Sequence, residues 1–279
     1  PNNFANLFTA AEAITDRDNL IAGFVVPTEA NLVSTQQIFE HMALANGCQL
    51  IDEAGEIQLL QPACAEALSF YYRIINQNSP IGVQTDTSTR NAYLAGRTGL
   101  IMASPSLLPQ LAGLDPAALP RCPECSATPD FLAQNSDILT EINGAELGHM
   151  SLLGITSAAD RETAVRFAAY WFNEGYPKWV AVDSERKVPM RWGTIQEPRQ
   201  FIDAWGSQPV AGSTQTLASL YGPEVVVILR DGLATTGRWG LPQGQGQLIT
   251  TLYEELTLSI VLQEMLSGYF STDQSIIEA

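Results

Sequence analysis

The stretch GRTGLIMASPSLL, residues 96–108, decides how we interpret the fold. A polar turn leads into four apolar residues, LIMA, and Ser104-Pro105-Ser106 follow before the apolar pattern resumes. A short apolar run bounded by turn residues is typical of a strand buried on both faces. Because α/β proteins bind ligands at the carboxyl ends of their strands, we expect Ser104 and Ser106 to face a ligand site.

The segments around this strand alternate between helix and strand patterns. Apolar spacings of three and four residues predict helices over 62–78, 158–176 and 248–268, the last as one long helix. Continuous apolar runs predict strands over 20–27 and 147–157. The alternation predicts an α/β class, and so few, widely spaced strands do not indicate an eight-fold barrel.

Composition excludes several classes of partner. The chain has 279 residues, 46 % of them apolar, and 30 acidic against 14 basic residues give a net charge of −16. That charge repels phosphate backbones and anionic membrane surfaces, so we expect no nucleic acid as a partner. No apolar run reaches the roughly 18 residues of a membrane helix. Since the sequence starts at Pro1, we expect a processed or excised piece of a longer chain.

The four cysteines permit two disulfides. The most local pairing joins Cys48 to Cys64 and Cys122 to Cys125, and four buried free thiols are the alternative. The second pair forms a Cys-Pro-Glu-Cys motif in a proline-rich loop with no helical pattern behind it. A structural disulfide is therefore favoured there over a thioredoxin-type redox site, and one such pair cannot make a four-thiolate zinc site.

Several motifs occur in an order that resembles the extracellular solute-binding proteins of ABC importers, in the branch of the maltose-binding protein. LANGCQLIDEAGEI (44–57) resembles that family's helix, Gly-Gly, strand and Asp-x-x-Gly hairpin, and AYLAGRTGLIMASPSLL (92–108) resembles its apolar strand followed by small-Gly-Pro-Trp. Residues 148–172 resemble the strand and helix that return to the first lobe, and residues 266–279 resemble the closing helix pair. The resemblance extends over nearly the whole chain.

The resemblance implies a two-lobe, periplasmic-binding-protein-like α/β fold of type II. Residues 1–146 would form the main part of the second lobe, 147–222 would return to the first lobe, and 223–279 would return to the second lobe with the C-terminal helices. The family's first lobe normally starts about 100 residues upstream, a segment of ordinary domain size that this sequence lacks. Where relatives often place a stacking Trp, this chain has Ser106.

The resemblance also implies a function. We expect the chain to bind a sugar or polyol in the cleft between the lobes and to deliver it to the membrane permease of an ABC importer. The family performs no chemistry on its solute and needs no cofactor. Its members are exported, as periplasmic proteins or cell-surface lipoproteins, and we expect a monomer.

Two pairs of polar residues lie at predicted strand ends. Ser104 and Ser106 are candidate solute contacts, and the alternative is that they only cap the next helix. Thr28 and Glu29 follow the strand over 20–27 in the same manner, in a loop where the family contacts sugar. The alternative for Glu29 is a solvated loop acid.

Four further candidates come from the resemblance. We expect Trp239, in the glycine-rich loop 237–246, to stack on a sugar ring and Arg238 to bind its hydroxyls, because a loop gives a ring little to pack against. The alternative is a ring lying over its own loop glycines. His149, near the expected hinge, contacts solute or serves as a structural hydrogen-bonding group, and Arg191 is a further candidate. Other tryptophans are interpreted as core residues: Trp171, Trp179 and Trp205.

Motifs for catalysis and metal binding are missing. There is no Gly-x-Ser-x-Gly, His-Glu-x-x-His or P-loop, and the acidic pairs Asp52-Glu53 and Glu254-Glu255 fit solvated faces. The only histidines are His41 and His149, without a carboxylate cluster, so we expect no metal site. Two alternatives stay open, a glycoside-hydrolase-like enzyme that uses acidic residues and a truncated interaction module without a working site.

Overall fold

The computed structural model describes residues 2–278. Within that range the chain forms fourteen α-helices, α1–α14, and four short strands, β1–β4. In chain order the helices are Phe4–Ile14, Val33–Ala45, Pro62–Asn78, Asp86–Leu94, Leu108–Leu111, Phe131–Gln134, Arg161–Tyr170, Tyr176–Ala181, Gln200–Trp205, Leu217–Tyr221, Pro223–Asp231, Gly246–Glu255, Thr257–Leu266 and Thr272–Glu278. The strands are Ala22–Val25, Thr98–Ile101, Glu146–Leu147 and Thr236–Gly237.

The predicted strand within residues 96–108 is confirmed as β2. It pairs in parallel with β1, with Phe24 opposite Leu100 and Val25 opposite Ile101. Every residue of β1 is buried, as expected for a strand covered on both faces. Because the two strands are parallel, the segments that follow them emerge at the same edge.

The larger of the hydrophobic clusters surrounds β1. It joins α1, α2, α3 and α13, and it includes Leu7, Phe24, Phe39, Tyr71 and Met265. Helix α1 begins with Asn3, whose side chain accepts a 2.9 Å hydrogen bond from the Asn6 amide and so caps the helix.

A second cluster lies within the later part of the chain. Trp205 is fully buried there with Tyr176, Phe201 and Leu217, and its Nε1 donates to the Ser184 carbonyl at 2.8 Å. Leu108, next to the segment that follows β2, belongs to the same cluster. The core interpretation of Trp205 is therefore confirmed.

The chain runs through the same place twice, first as strand β3 and later as strand β4, and we call these its two passages. They are parallel neighbours, with Glu146 opposite Thr236 and Leu147 opposite Gly237. A Cβ on Gly148 would lie only 2.2 Å from Cγ2 of Thr236. The close approach requires glycine at this position, since any side chain would displace Thr236.

The predicted strand over 147–157 is wrong beyond Leu147. Residues 148–156 adopt no regular structure, and every residue from His149 to Asp160 is exposed. Helix α7, which follows, has no buried residue, and Phe167 on its predicted apolar face is 53 % exposed. The apolar pattern is present, but no other element in residues 2–278 covers it, so the segment has no strand to pair with.

The single long helix predicted over 248–268 is also wrong. It is divided into α12 and α13 at Leu256, whose backbone adopts the left-handed conformation with φ of 55°. Such a residue cannot continue a right-handed helix, and nothing in the apolar spacing reveals it.

Both local cysteine pairs form disulfides. Cys48–Cys64 joins the segment after α2 to α3, and Cys122–Cys125 closes a short turn. The Asp-x-x-Gly hairpin that the motif over 44–57 resembles is reduced to one antiparallel bridge, between Ile51 and Ile57, around a turn held by Asp52.

Candidate functional site

Two candidate segments lie at the carboxyl edge of the β1–β2 pair. Thr28–Glu29 follows β1 and Ser104–Ser106 follows β2. Thr28 is only 3 % exposed, and its Oγ1 accepts a 2.9 Å hydrogen bond from the Gln84 amide. It therefore holds the loop in place, whereas Glu29 beside it is half-buried.

The hydroxyls of Ser104 and Ser106 are bonded to each other, with 2.5 Å between the two Oγ atoms. Ser104 precedes a short 3-10 turn, Pro105–Leu107, but its side chain makes no capping hydrogen bond. The capping alternative for Ser104 is therefore wrong. Ser104 is exposed and Ser106 half-buried, so the pair is open to solvent at the strand edge.

Arg238 lies at the centre of a polar cluster next to β3 and β4. Its Nε is 2.9 Å from Glu40 Oε1 and its Nη2 is 3.3 Å from Glu40 Oε2. Its Nη1 donates to the Gly148 carbonyl and to Nδ1 of His149, both at 3.3 Å. The guanidinium therefore ties helix α2 to both passages of the chain.

Glu40 is the buried acceptor of this cluster. Its side chain is 2 % exposed, and besides Arg238 it accepts the backbone amide of Trp239 at 2.8 Å and the hydroxyl of Tyr253 at 2.7 Å. A buried carboxylate needs such a set of donors. The sequence contains one signal for it, since Glu40 falls between Phe39 and Met42 on the apolar side of α2, and our sequence reasoning missed it.

His149 is brought against Arg238, an arrangement that sequence reasoning did not foresee. Partial desolvation lowers the pKa of the imidazole, the Arg238 charge lowers it further, and Glu40 acts in the opposite sense. Since Arg238 donates to Nδ1, that nitrogen must accept, which places the proton of the neutral ring on Nε2. His149 is exposed and can reach solvent with that group.

The expected role of Trp239 does not agree with its position. The ring is 2 % exposed, packs edge-on against Phe39 with 6.0 Å between ring centroids, and donates from Nε1 to the Cys48 carbonyl at 2.9 Å. It therefore has no free face for a sugar. The premise that a loop gives a ring little to pack against is wrong here, because the partners come from α2 and from the segment after it.

Arg238 and Arg191 were expected to contact solute, but the guanidinium of each binds groups of the chain itself. The five N–H groups of the Arg238 guanidinium are taken up by Glu40, Tyr253, the Gly148 carbonyl and His149, so none is left for solute hydroxyls. Arg191 interacts within residues 172–201. It donates to Gly193 and Asn173 and lies 5.5 Å from the centroid of the Phe201 ring.

Two other features are absent from residues 2–278. No group of three or more His, Cys, Asp or Glu side chains in this range is placed to hold a metal ion. None of the helices in the same range combines the length and the apolar character needed to span a membrane.

Comparison with known proteins gives one curated relative. The sequence is 30 % identical over 218 residues to YcjN of Escherichia coli (strain K12), whose provisional name is ABC transporter periplasmic-binding protein. The matched part is 75 % of this chain and 47 % of that protein, so the chain spans about half the length of the curated relative it matches. No family model matches the chain.

Solved structures with the same fold are ABC transporter solute-binding proteins. One, from Agrobacterium radiobacter K84 in complex with ribitol, matches with a TM-score of 0.60 and 15 % identity, over all of this chain and 63 % of that one. Another, from Thermotoga lettingae TMO bound with α-D-tagatose, matches with a TM-score of 0.60 and 18 % identity over the same shares. The chain therefore has the fold of these proteins, and the resemblance predicted from its motifs is confirmed.

Proposed function

We propose that the chain is the solute-binding component of an ABC import system and that it binds a sugar or polyol between two lobes. The observation that carries this proposal is the parallel pairing of β3 with β4. It brings the chain's departure at Leu147 and its return at Thr236 to one place, as a hinge between two bodies requires. The relatives that carry ribitol and tagatose support the solute class.

The division into lobes follows from the same pair of passages. We assign residues up to 146 to one lobe and the segment from 147 to the other. We place the return at 236 instead of 223, because β4 begins at Thr236, where the chain comes back beside β3. The exposed apolar side chains of residues 150–172 would then face the part of the first lobe that longer relatives possess.

Four residues are our proposed solute contacts. Glu29, Ser104 and Ser106 lie at the carboxyl edge of β1 and β2, and His149 lies beside the β3–β4 pair, held there by Arg238. A carboxylate accepts hydrogen bonds from the hydroxyls of a sugar, and hydroxyl and imidazole groups both donate to them and accept from them. Thr28 and Trp239 are buried and would act by holding the loops that carry these groups.

The remaining parts of the proposal concern the cell. The chain would act outside the cytoplasm, free in the periplasm or held by a lipid anchor, as a monomer that delivers its solute to a membrane permease. It would carry out no chemistry on that solute, which distinguishes it from a glycoside hydrolase.

Isothermal titration with ribitol and D-tagatose, with turnover assayed in parallel, tests the proposal. We expect binding without turnover, and we expect the double variant Ser104→Ala/Ser106→Ala to bind more weakly. Ser207→Ala, an exposed serine on the later part of the chain, is the matched control. Turnover of either compound would contradict the proposal. A second contradicting result would come from a longer chain that carries an upstream first-lobe segment: in that chain, the double serine variant would bind the solute as tightly as the unaltered protein.

A further inference from the structure

A cavity lined by polar and apolar groups lies between the turn over 47–61 and the glycine-rich loop, and it includes neither Ser104 nor Ser106. Its volume is about 320 Å³. The polar side chains that line it are Gln49, Asp52, Glu53, Gln58, Gln61 and Gln243. Binding pockets for small molecules start at about 300 Å³, so the cavity has room for one small solute and not for an oligosaccharide.

The segments that form the walls of the cavity are held in place by a disulfide and by hydrogen bonds. The Cys48–Cys64 disulfide joins the segment after α2 to α3, and the Cys64 amide donates to the Gln61 carbonyl at 3.0 Å. The Cys48 carbonyl accepts the indole of Trp239. A site whose walls are already ordered loses less conformational entropy when a ligand binds.

One lining group has an unmet hydrogen-bonding capacity. Oε1 of Gln243 is buried and has no partner among the protein groups of residues 2–278. Burying an unpaired amide oxygen is costly, which favours a rotation of the Gln243 side chain that offers this oxygen to a hydroxyl group in the cavity. Asp52, in contrast, is fully used inside the turn, since it accepts the amides of Ala54 and Glu56 at 2.9 Å and Nε2 of Gln58 at 2.8 Å.

The lining also restricts the charge of the ligand. It includes no Lys, Arg or His, and its two charged side chains are the carboxylates of Asp52 and Glu53. An anion would be repelled, whereas the amides of Gln49, Gln61 and Gln243 both donate and accept, as hydroxyl groups do. Ile51 and Cys48 supply an apolar surface for C–H groups.

We infer that this cavity is a second solute site, which binds an uncharged polyhydroxylated compound of polyol or monosaccharide size. It is built within residues 47–61 and 243, so its binding does not depend on closure of two lobes. It is thus independent of the inter-lobe site of the proposed function.

The test is a titration of the whole chain with ribitol and with D-ribonate, the analogue in which one terminal carbon is a carboxylate. We expect ribitol to bind and ribonate not to bind. Gln243→Ala should weaken ribitol binding about two- to tenfold, the effect of one lost hydrogen bond between uncharged groups, and Gln61→Ala should act in the same direction. Gln247→Ala, an exposed glutamine on the neighbouring helix, is the matched control.

Three outcomes would overturn the inference. They are no ribitol binding to the unaltered chain, equal binding of ribonate, and ribitol binding that the Gln61→Ala/Gln243→Ala double variant leaves unchanged. Loss of binding in Ser104→Ala/Ser106→Ala with full binding in the glutamine variants would assign the solute to the inter-lobe site alone. The thermal midpoint of each variant, measured without solute, separates lost binding from lost folding.

Discussion

The guanidinium of Arg238 lies 2.9 Å from the carboxylate of Glu40, in an ion pair whose side chains are only 12 % and 2 % exposed. The two residues are 198 positions apart in the sequence. Their contact anchors the returning passage of the chain to helix α2. The stability of this anchor can be measured directly.

Replacing Glu40 with Gln should lower the free energy of unfolding by about 3 kcal/mol, because it leaves the largely buried Arg238 charge without a full counter-charge. Urea denaturation measures the effect. Asp203→Asn is the control, since the Arg199–Asp203 pair is exposed and exposed pairs contribute at most about 1 kcal/mol. Equal losses in the two variants would show that the buried pair has no special role.

Replacing Trp239 with Ala should lower the free energy of unfolding by about 3–5 kcal/mol, as for other buried aromatic residues. Trp239→Phe should cost less, about 1–3 kcal/mol, mainly by leaving the Cys48 carbonyl unpaired. Trp192→Ala, at a tryptophan that is 53 % exposed, serves as the comparison. If Trp239→Ala left the thermal midpoint unchanged and weakened solute binding, Trp239 would instead stack on the solute.

Replacing Gly148 with Ala should disrupt the pairing of β3 with β4 and cost about 1–3 kcal/mol, because the new methyl group overlaps Cγ2 of Thr236. Adding Thr236→Ser removes that methyl group and keeps a hydroxyl for the 3.1 Å hydrogen bond to Gly232, so it should recover part of the loss. Hydrogen exchange of the Glu146 amide reports the pairing directly. Gly154→Ala, where nothing lies near the added atom, should change little.

The two histidines should make the fold less stable as the pH falls. Burial lowers the pKa of His41, and partial desolvation with the Arg238 charge lowers the pKa of His149. The unfolded chain therefore binds more protons than the folded chain around and below the ordinary histidine pKa of about 6.5, and the free energy of unfolding falls as the pH drops through that range. His41→Gln/His149→Gln should flatten that slope.

Two buried acids act in the opposite sense. Burial raises the pKa of Glu146 and of Glu185, so protonation at lower pH favours the folded state through these groups. Both acids are present in the double histidine variant, so the difference between its slope and that of the unaltered chain isolates the histidines. Identical slopes would mean that neither histidine is held neutral by the fold.

Local features of the fold could be predicted from the sequence. The helix over 62–78, the buried strand before Pro27 and the strand before Ser104 all depend on apolar spacing and turn residues within a few positions. The resemblance could be predicted because the order of such local motifs is itself a sequence property. The candidate edge where Glu29 and Ser104 emerge followed from the rule that α/β proteins bind ligands at the carboxyl ends of their strands.

Features that depend on distant partners could not be predicted. Trp239 is buried because α2 and Cys48 reach its loop, and nothing within 237–246 reveals that. Residues 147–157 have the apolar composition of a strand, but a strand also needs a neighbouring strand that supplies hydrogen bonds. The left-handed Leu256 is a third case, since leucine at such a position carries no turn signal.

The exposed apolar side chains of residues 150–172 have a consequence for how copies of the chain meet in solution. Surfaces of this kind adhere to one another, but each copy carries a net charge of −16. At low ionic strength the mutual repulsion reaches beyond the contact distance, whereas at about 1 M salt the screening length shrinks to about 3 Å. Sedimentation velocity should therefore find single copies at low salt and self-association at high salt. That result would mean that repulsion between the net negative charges of the copies prevents their apolar surfaces from meeting.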